Sequence, residues 1–300
     1  MANRINSVFT IDDTLIAYAV GDFGLILRST DGGAHWERLA SPVLVNLYAI
    51  CFPAQGTIGY ACGDNGTILK TEDEGRTWLL LDSGTADDLR VVRFPLSPVV
   101  GFAGGDHGLA LRTEDSGATW ERLVTAAADR IMDMNFPADE TTGYAVGLNG
   151  TILKTTTGGS IWFSQTGNMQ GLLPGTHVTA VHFPADDLIG FATTGNGMVL
   201  FTPDGGEVWQ ALRIDFPLPP LYSLDVRHDT MGAFAVGASG TLITTNDGGK
   251  SWERLYPGTE ADLFSIRFFA DGRVGIIAGD ERTLLCTLDG GHTWAAARIE

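Results

Sequence analysis

The chain has 300 residues, with 36 acidic and 19 basic side chains, and its formal net charge is −17. This charge argues against sequence-independent binding to nucleic acid or to anionic membranes, which requires clustered cations. No apolar run reaches the length of about 18 residues that a spanning helix needs, so we expect no direct membrane insertion. The N-terminal residues contain no apolar signal region, so we expect a cytoplasmic protein, with a trimmed exported chain as the alternative.

Seven tryptophans mark an internal repeat that organises the whole chain. They recur at intervals of 42, 42, 42, 47, 43 and 42 residues, at Trp36, Trp78, Trp120, Trp162, Trp209, Trp252 and Trp294. One repeat reads as four short apolar runs, which we label strands A to D in chain order, separated by turn residues such as Asn65 and Gly66. A repeat of roughly 40–45 residues with four strands is typical of a propeller blade. The sequence therefore predicts an all-β fold, a seven-bladed β-propeller with four antiparallel strands per blade.

The repeats fill the chain as a single domain. The predicted blades are approximately residues 1–42, 43–85, 86–127, 128–170, 171–216, 217–258 and 259–300. The last strand D is predicted at Ala295–Ile299, so each blade is contiguous in sequence and no interlocked closing blade is expected. Two connections between blades are longer than the rest, Ser164–Gly175 and Ile214–Pro220. The first contains Met169, Leu172 and Leu173, which we expect either to plug the channel mouth or to form an interaction patch.

The turn between strands C and D carries an aspartate in six of the seven blades. An aspartate in such a turn accepts hydrogen bonds from nearby backbone N–H groups and fixes the turn. Six copies around a ring cannot share one active site, so we interpret them as structural rather than as catalytic or metal-binding carboxylates. They are Asp31, Asp73, Asp115, Asp204, Asp247 and Asp289. No cysteine or histidine spacing indicates a metal site, and we expect no cofactor.

These turns resemble the Asp-box, or BNR, repeat, Ser/Thr-x-Asp-x-Gly-x-Thr-Trp, which the turns before Trp78, Trp120 and Trp294 match at every fixed position. The longer pattern GYACGDNGTILKTEDEGRTW, at residues 59–78, resembles the YCF48-like family of photosystem II assembly and stability factors. The resemblance covers essentially the whole chain. It implies a seven-bladed propeller that acts as a chaperone-like binding protein and not as an enzyme. It also implies an arginine-rich patch on one face, for which the candidates are Arg90, Arg93, Arg130 and Arg267.

One face of the predicted propeller collects the B–C turns and the D–A connections, and we expect a protein partner to bind there. Four aspartates of the B–C turns form an acidic arc, which is either ordinary turn chemistry or a surface for a basic partner. Aromatic residues, which dominate binding hot spots, cluster beside the arc. The predicted partner-binding residues are Asp22, Phe23, Tyr48, Asp64, Arg90, Asp106, His107, Phe216, Tyr222, Phe264 and Asp280.

We therefore expect a non-enzymatic protein-binding propeller, which acts as an assembly factor, a chaperone-like scaffold or a subunit of a complex. The alternative is an Asp-box glycoside hydrolase of the sialidase or xyloglucanase type. Sialidases need an Arg-Ile-Pro motif, and the nearest match here, Arg130-Ile131-Met132, has no proline. Xyloglucanases place two acids across a cleft between two propellers, and this chain predicts only one propeller. The sequence does not identify the partner protein.

Overall fold

The computed structural model describes residues 3–53, 56–166, 175–184, 186–227 and 229–300. Met169, Leu172 and Leu173 of the first long connection lie outside these residues. The strands form seven sheets around a ring, and each sheet contains four antiparallel strands that follow one another in the chain. The predicted seven-bladed propeller is therefore confirmed. No helix in the described part of the chain is long and apolar enough to cross a membrane.

The first four blades are each built from one contiguous stretch of chain. Blade 1 contains β1 (Ile5–Thr10), β2 (Ala17–Gly21), β3 (Ile26–Ser29) and β4 (His35–Arg38). Blade 2 contains β5 (Leu47–Cys51), β6 (Gly59–Gly63), β7 (Ile68–Thr71) and β8 (Leu79–Leu81). Blade 3 contains β9 (Leu89–Arg93), β10 (Gly101–Gly105), β11 (Ala110–Thr113) and β12 (Glu121–Leu123). Blade 4 contains β13 (Ile131–Asn135), β14 (Gly143–Gly147), β15 (Ile152–Thr155) and β16 (Phe163–Ser164).

The remaining three blades follow the same order. Blade 5 contains β17 (Val178–His182), β18 (Gly190–Thr194), β19 (Val199–Thr202) and β20 (Gln210–Ala211). Blade 6 contains β21 (Leu221–Val226), β22 (Ala233–Gly237), β23 (Leu242–Thr245) and β24 (Glu253–Leu255). Blade 7 contains β25 (Leu263–Phe268), β26 (Gly275–Gly279), β27 (Leu284–Thr287) and β28 (Ala295–Ala296), and the short β29 (Arg298–Ile299) follows it.

The last predicted strand is divided between two blades, which corrects its expected extent of Ala295–Ile299. β28 completes blade 7, whereas β29 crosses to blade 1 and pairs in parallel with the outer strand β4. The Arg298 N–H donates to the Ala34 carbonyl at 2.9 Å, and the Glu300 N–H donates to the Trp36 carbonyl at 2.9 Å. Each blade still takes its four strands from contiguous sequence, as predicted. β29 adds a fifth strand to blade 1 and joins the two ends of the chain.

The B–C turns of blades 1 to 4 are short 3-10 turns that reverse the chain within three residues. They are Asp22–Gly24, Asp64–Gly66, Asp106–Gly108 and Leu148–Gly150. The middle residue of each turn has a positive φ, between 54° and 58°. Asparagine tolerates this left-handed conformation well, and it occupies the middle position in blades 2 and 4. The turns therefore place their middle side chains at the surface of one face.

Aromatic side chains fill the seams between adjacent blades. In one seam, Tyr60 of blade 2 stacks on Phe94 of blade 3 with ring centroids 3.7 Å apart, and Trp120 meets Phe94 edge-on at 6.1 Å. The same arrangement recurs at Tyr18, Phe52 and Trp78, at Phe102, Phe136 and Trp162, and at Tyr144, Phe183 and Trp209. Because the core lies between blades rather than inside them, the ring positions every surface turn relative to its neighbours.

Candidate functional site

A bulge near the start of every inner strand determines which side chains surround the channel mouth. In each blade the pairing between strands A and B shifts register by one residue after the first strand A residue. Bulges re-aim the extra side chain, and here that residue comes to the B–C face of the ring. The seven bulged residues are half-buried: Asn6, Tyr48, Arg90, Met132, Thr179, Tyr222 and Phe264.

Four of the predicted partner-binding residues form one connected network across blades 2 and 3. The Arg90 guanidinium lies over the Tyr48 ring, 4.0 Å from its centroid, and the Tyr48 hydroxyl donates to Asp64 at 2.6 Å. Arg90 also lies 3.5 Å from Asp106, which accepts a bidentate contact from Arg130. Burial raises the pKa of Tyr48, which favours the protonated hydroxyl that donates to Asp64.

A second group lies across the mouth on blades 6 and 7. The rings of Tyr222 and Phe264 are 5.6 Å apart, and Arg4 lies over Phe264 at 5.3 Å. Arg4 is also 3.8 Å from Asp280. Phe216 does not join this group, because it is half-buried and packs against the core between blades 5 and 6. The mouth is therefore lined by two aromatic and arginine clusters.

The four aspartates of the predicted acidic arc differ in what neutralises them. Although burial opposes ionisation of Asp106, its contacts with Arg130 and Arg90 hold its pKa below the usual value. Asp280 has Arg4 nearby. Among the described residues, Asp22 and Asp64 accept hydrogen bonds only from uncharged groups. Asp22 accepts from the Arg4 backbone N–H and the Asn6 side chain. Asp64 accepts from the Asn46 backbone N–H and the Tyr48 hydroxyl. Of these four aspartates, the two on blades 1 and 2 therefore lack a cationic partner among the described residues.

Blade 1 carries an apolar patch on this face, which we call the blade 1 patch and define as Phe23 and Leu44. Phe23 is the middle residue of its B–C turn, with φ at 58°, and is 47% exposed. Leu44, in the following D–A connection, is 81% exposed. The two are held together because the Phe23 N–H donates to the Asn46 side chain at 3.2 Å and the Gly24 N–H donates to the Val45 carbonyl at 2.6 Å. Sequence reasoning identified Phe23 but not Leu44.

His107 occupies the position of Phe23 in blade 3, but its surroundings are different. Its side chain is largely exposed, and Nδ1 lies 3.2 Å from the Asp87 carboxylate. Together with Asp106, Asp129 and Arg130 it borders a shallow groove. Apart from Phe216, the residues predicted to bind a partner therefore lie around one face, on blades 1, 2, 3, 6 and 7, with a polar sector on blade 3 and an apolar patch on blade 1.

A cavity on the opposite face, at the far end of the inner strands, was not predicted. Its volume is about 670 Å³. The fifth residue of each strand A points to it, and these residues are polar in five consecutive blades: Arg93, Asn135, His182, Asp225 and Arg267. The same position is Phe9 in blade 1 and Cys51 in blade 2. This polar run in strands that otherwise alternate was a signal in the sequence that could have located the cavity.

Two largely buried aspartates, one beside this cavity and one lining it, hold neighbouring blades together. Asp133 accepts from Arg93 at 2.7 Å and from the Val181 N–H of the next blade at 3.2 Å. Asp225 accepts from Arg267 at 3.3 Å and from the Phe268 N–H of the next blade at 3.0 Å. Burial raises the pKa of Asp225.

The four arginines proposed for a family-type patch are divided between the two faces. Arg93 and Arg267 border the cavity, whereas Arg90 and Arg130 lie at the mouth on the B–C side. All four contact aspartates. The structure therefore does not bring them together as one patch. In the described part of the chain, no three His, Cys, Asp or Glu side chains are grouped as a metal site.

Each Asp-box aspartate forms the turn that contains it. In blade 3, Asp115 accepts from the Thr119 N–H at 2.8 Å and from the Thr119 hydroxyl at 2.7 Å. The buried Thr113 hydroxyl donates to Asp115 at 2.8 Å and accepts from the Gly117 N–H at 2.9 Å. In blade 2 the outer strand begins only at Leu79, since Thr77 still belongs to the equivalent turn, where its N–H donates to Asp73. The aspartate and both threonine hydroxyls of the blade 3 turn are therefore bonded within it.

Comparison with known families identifies the family to which these repeats belong. The family model of the photosynthesis system II assembly factor YCF48 matches residues 36–128, 124–223 and 220–300. The chain belongs to the YCF48 family. The predicted resemblance is therefore confirmed over most of the sequence. No curated protein sequence matches the chain significantly.

Solved structures show the same fold at low sequence identity. YCF48 bound to D1 peptide is 21% identical, with a TM-score of 0.77 and 96% of each chain covered. YCF48 from Cyanidioschyzon merolae is 19% identical, with a TM-score of 0.76 and 95% of each chain covered. The GH74 enzyme from Niastella koreensis is 15% identical with a TM-score of 0.79, and the match covers 97% of this chain but 53% of the enzyme. The propeller fold is thus shared with glycoside hydrolases, and this chain spans about half of that enzyme.

Proposed function

We propose that this YCF48-family chain is a non-enzymatic assembly factor that binds a segment of another protein on its B–C face. Family membership supports a binding role, and a solved relative is described as bound to D1 peptide. The observation that carries the proposal is the blade 1 patch, where the half-exposed Phe23 has a backbone φ in the left-handed region. We propose that the partner contacts this patch and the aromatic residues that line the channel mouth, Tyr48, Tyr222 and Phe264.

The backbone at Phe23 explains why the patch points to a partner. A left-handed conformation costs roughly 1–2 kcal/mol for most residues and less for asparagine. The same position is Asn65 in blade 2 and Asn149 in blade 4, with φ at 56° and 54°. A half-exposed phenylalanine recovers only part of its burial energy within the fold. A bound partner would cover the rest of the ring, as aromatic anchors do in binding hot spots.

The surroundings of the patch indicate the chemistry of the segment. The Asn46 side chain accepts from the Phe23 N–H, and Asn46 lies two residues before Tyr48. The patch is therefore next to Tyr48 at the channel mouth. Asp22 and Asp64 lie along this path without a cationic partner among the described residues. A segment with apolar side chains for the patch and the mouth, and a basic side chain between them, complements this surface.

The glycoside hydrolase alternative has weaker support from the geometry. Asp225, which lines the opposite cavity, and Asp133, which contacts Arg93 at its border, are largely buried, and each is engaged by an arginine and by a backbone N–H of the next blade. A catalytic pair requires one carboxyl group to act as an acid and the other as a nucleophile or base. We therefore assign these aspartates to the stability of the ring.

The test uses residues that other blades already carry. The double substitution Phe23→Asn with Leu44→Ala introduces the turn residue of blades 2 and 4 and the alanine that occupies the position equivalent to Leu44 after blades 2 and 3 (Ala86 and Ala128). The smaller side chains bury less apolar area, which lowers the free energy of unfolding, whereas asparagine tolerates the left-handed backbone at position 23 better, which raises it. We therefore expect the free energy of unfolding to change by no more than about 1 kcal/mol. Binding of D1 peptide and capture of partners from a lysate of the native host should both fall, by about tenfold in affinity for the peptide.

The matched control is Leu288→Ala, which shortens an exposed leucine on the opposite face. It should leave peptide binding and capture unchanged. Equal binding by the double variant and the wild type would overturn the proposed surface. Hydrolysis of xyloglucan by the wild-type chain, measured as released reducing ends, would overturn the non-enzymatic role.

A further inference from the structure

The Asp-box turns of blades 4 and 5 differ from the others at one exposed position. The residue before the tryptophan donates a side-chain hydrogen bond to the box aspartate in blades 2, 3, 6 and 7, at 2.6–2.7 Å, from Thr77, Thr119, Ser251 and Thr293. In blade 1, His35 contacts Asp31 at 2.6 Å. In blades 4 and 5 the same position is Ile161 and Val208, which cannot make this bond. Two adjacent blades therefore display aliphatic side chains where the other five display bonded polar groups.

A third apolar side chain, Phe163, lies between these two turns. It pairs across β15 and β16 with Lys154, and paired residues project to the same side of a sheet. The Lys154 ammonium donates to the Gly205 carbonyl in the C–D turn of blade 5 at 2.7 Å. Phe163 therefore faces blade 5. The equivalent residue in blade 1 is Glu37, which pairs with Arg28 at 3.3 Å, so a polar contact at this seam is replaced by an aromatic ring.

Leu188 completes the cluster from the A–B loop of blade 5. Its carbonyl accepts from the Gly205 N–H at 2.7 Å, so the loop lies directly against the turn that carries Val208. We call Ile161, Phe163, Leu188 and Val208 the blade 4/5 rim. All four side chains are between 47% and 53% exposed. Half-exposed apolar side chains grouped on one sector of an acidic protein are typical of an interaction site.

Most of the charged side chains around the rim are acidic. Asp186, Asp187, Asp204 and Glu207 lie close enough to the Tyr144 hydroxyl to act on it electrostatically, and none of the four has a salt bridge among the described residues. Lys154 is directed to a backbone carbonyl. The rim is thus an apolar cluster bordered by carboxylates, which repel anionic membranes and nucleic acid and attract cations.

We propose that the blade 4/5 rim docks a segment of a partner protein that combines apolar side chains with lysine or arginine. The apolar side chains cover Ile161, Phe163 and Val208, and the basic side chains meet the surrounding carboxylates. The rim lies on the C–D side of the ring, opposite the blade 1 patch. The inference is therefore independent of the function proposed for the B–C face.

The test replaces the two aliphatic box residues by the threonine that the repeat carries elsewhere. Ile161→Thr with Val208→Thr removes two apolar contacts, and the new hydroxyl at position 208 can donate to Asp204, as Thr119 does to Asp115. We therefore expect an unchanged or higher melting temperature. The probe is a synthetic peptide of alternating leucine and lysine, compared with leucine–glutamate and serine–lysine peptides of the same length, with affinity measured by fluorescence anisotropy.

The wild-type chain should bind the leucine–lysine peptide more tightly than either comparison peptide. The double variant should lose about tenfold or more in affinity for it. Leu288→Ala, on the same face but on blade 7, and the Phe23→Asn with Leu44→Ala variant should both keep wild-type affinity. Undiminished binding by the double variant, equal binding of the serine–lysine peptide, or loss of binding in either of these two controls would overturn the proposal.

Discussion

The Asp-box aspartates combine exposure with strong hydrogen bonding. Asp247 accepts from the hydroxyl and the backbone N–H of Ser251, and Asp289 accepts the same pair from Thr293. These bonds lower the pKa of each carboxyl group from 3.8 to about 2. An ionised aspartate is therefore part of the folded turn, which explains why the residue recurs without needing a catalytic or metal-binding role.

This depression predicts how stability depends on acid. Because the folded pKa values lie below the unfolded value of 3.8, the unfolded chain takes up these protons first as the pH falls. The contribution of the two carboxylates is present above about pH 4 and is lost between about pH 4 and pH 2. Urea unfolding over this range should show a smaller loss of stability for Asp247→Asn with Asp289→Asn than for the wild type. Parallel pH profiles would contradict this assignment.

The inner strand pairs show how one element constrains the next. Wherever the sixth residue from the start of strand A is phenylalanine, strand B begins with glycine. The ring leaves no room for a side chain there: a Cβ at Gly143, for example, would lie 2.2 Å from the Phe136 ring. Blades 1 and 6 have Thr10 and Val226 instead, and their B strands begin with Ala17 and Ala233. The size of the first side chain therefore determines whether the second residue can carry a Cβ.

This relation predicts coupling between the two positions in blade 4. Gly143→Ala should destabilise the fold by about 1–3 kcal/mol through overpacking. In the Phe136→Val background the same change should cost less, because the combination then matches Val226 and Ala233. A double-mutant cycle of unfolding free energies measures the difference. Simple additivity of the two substitutions would show that the ring does not impose the glycine.

Some of these features could be predicted from sequence because they are local. Three signals depend only on neighbours within one hairpin: the tryptophan spacing, the Asn-Gly turns and the box aspartates. The number and order of the blades could therefore be predicted from them. The position of Phe23 and Tyr48 on the B–C face could be predicted from the order of the strands and turns in the repeat. Leu44 and Phe163 were missed because their exposure depends on packing between separate strands. The cavity was missed because it requires comparing Arg93, His182 and Asp225 across blades.

Closure of the ring depends on contacts between the two ends of the chain. The Val8 N–H of blade 1 donates to the Ser265 hydroxyl of blade 7 at 3.1 Å, and β29 adds two backbone hydrogen bonds to β4. Ala297 and Ile299 pack against the core shared by blades 1 and 7. Parallel pairing between such distant segments has no local turn signal, so sequence patterns did not reveal it. β29 therefore fastens a ring whose blades are otherwise contiguous.

Deletion of residues 298–300 should test this fastening. It removes two backbone hydrogen bonds and the partly buried Ile299, which together contribute about 2–3 kcal/mol. The melting temperature should fall, while Ile299→Ala should cause a smaller loss because it keeps the backbone bonds. Calorimetry of both variants beside the wild type measures the effect. An unchanged melting temperature after the deletion would show that packing of blades 1 and 7 alone closes the ring.

The most direct test of the binding face is site-specific photo-crosslinking in the native host. A photoreactive phenylalanine analogue at position 23 retains the aromatic ring of the blade 1 patch, and the same analogue at position 288 reports on the opposite face. The proposed function predicts that position 23 crosslinks to a distinct partner protein and that the crosslink disappears when Leu44→Ala is added. A crosslink to that partner from position 288, with none from position 23, would contradict binding through the B–C face.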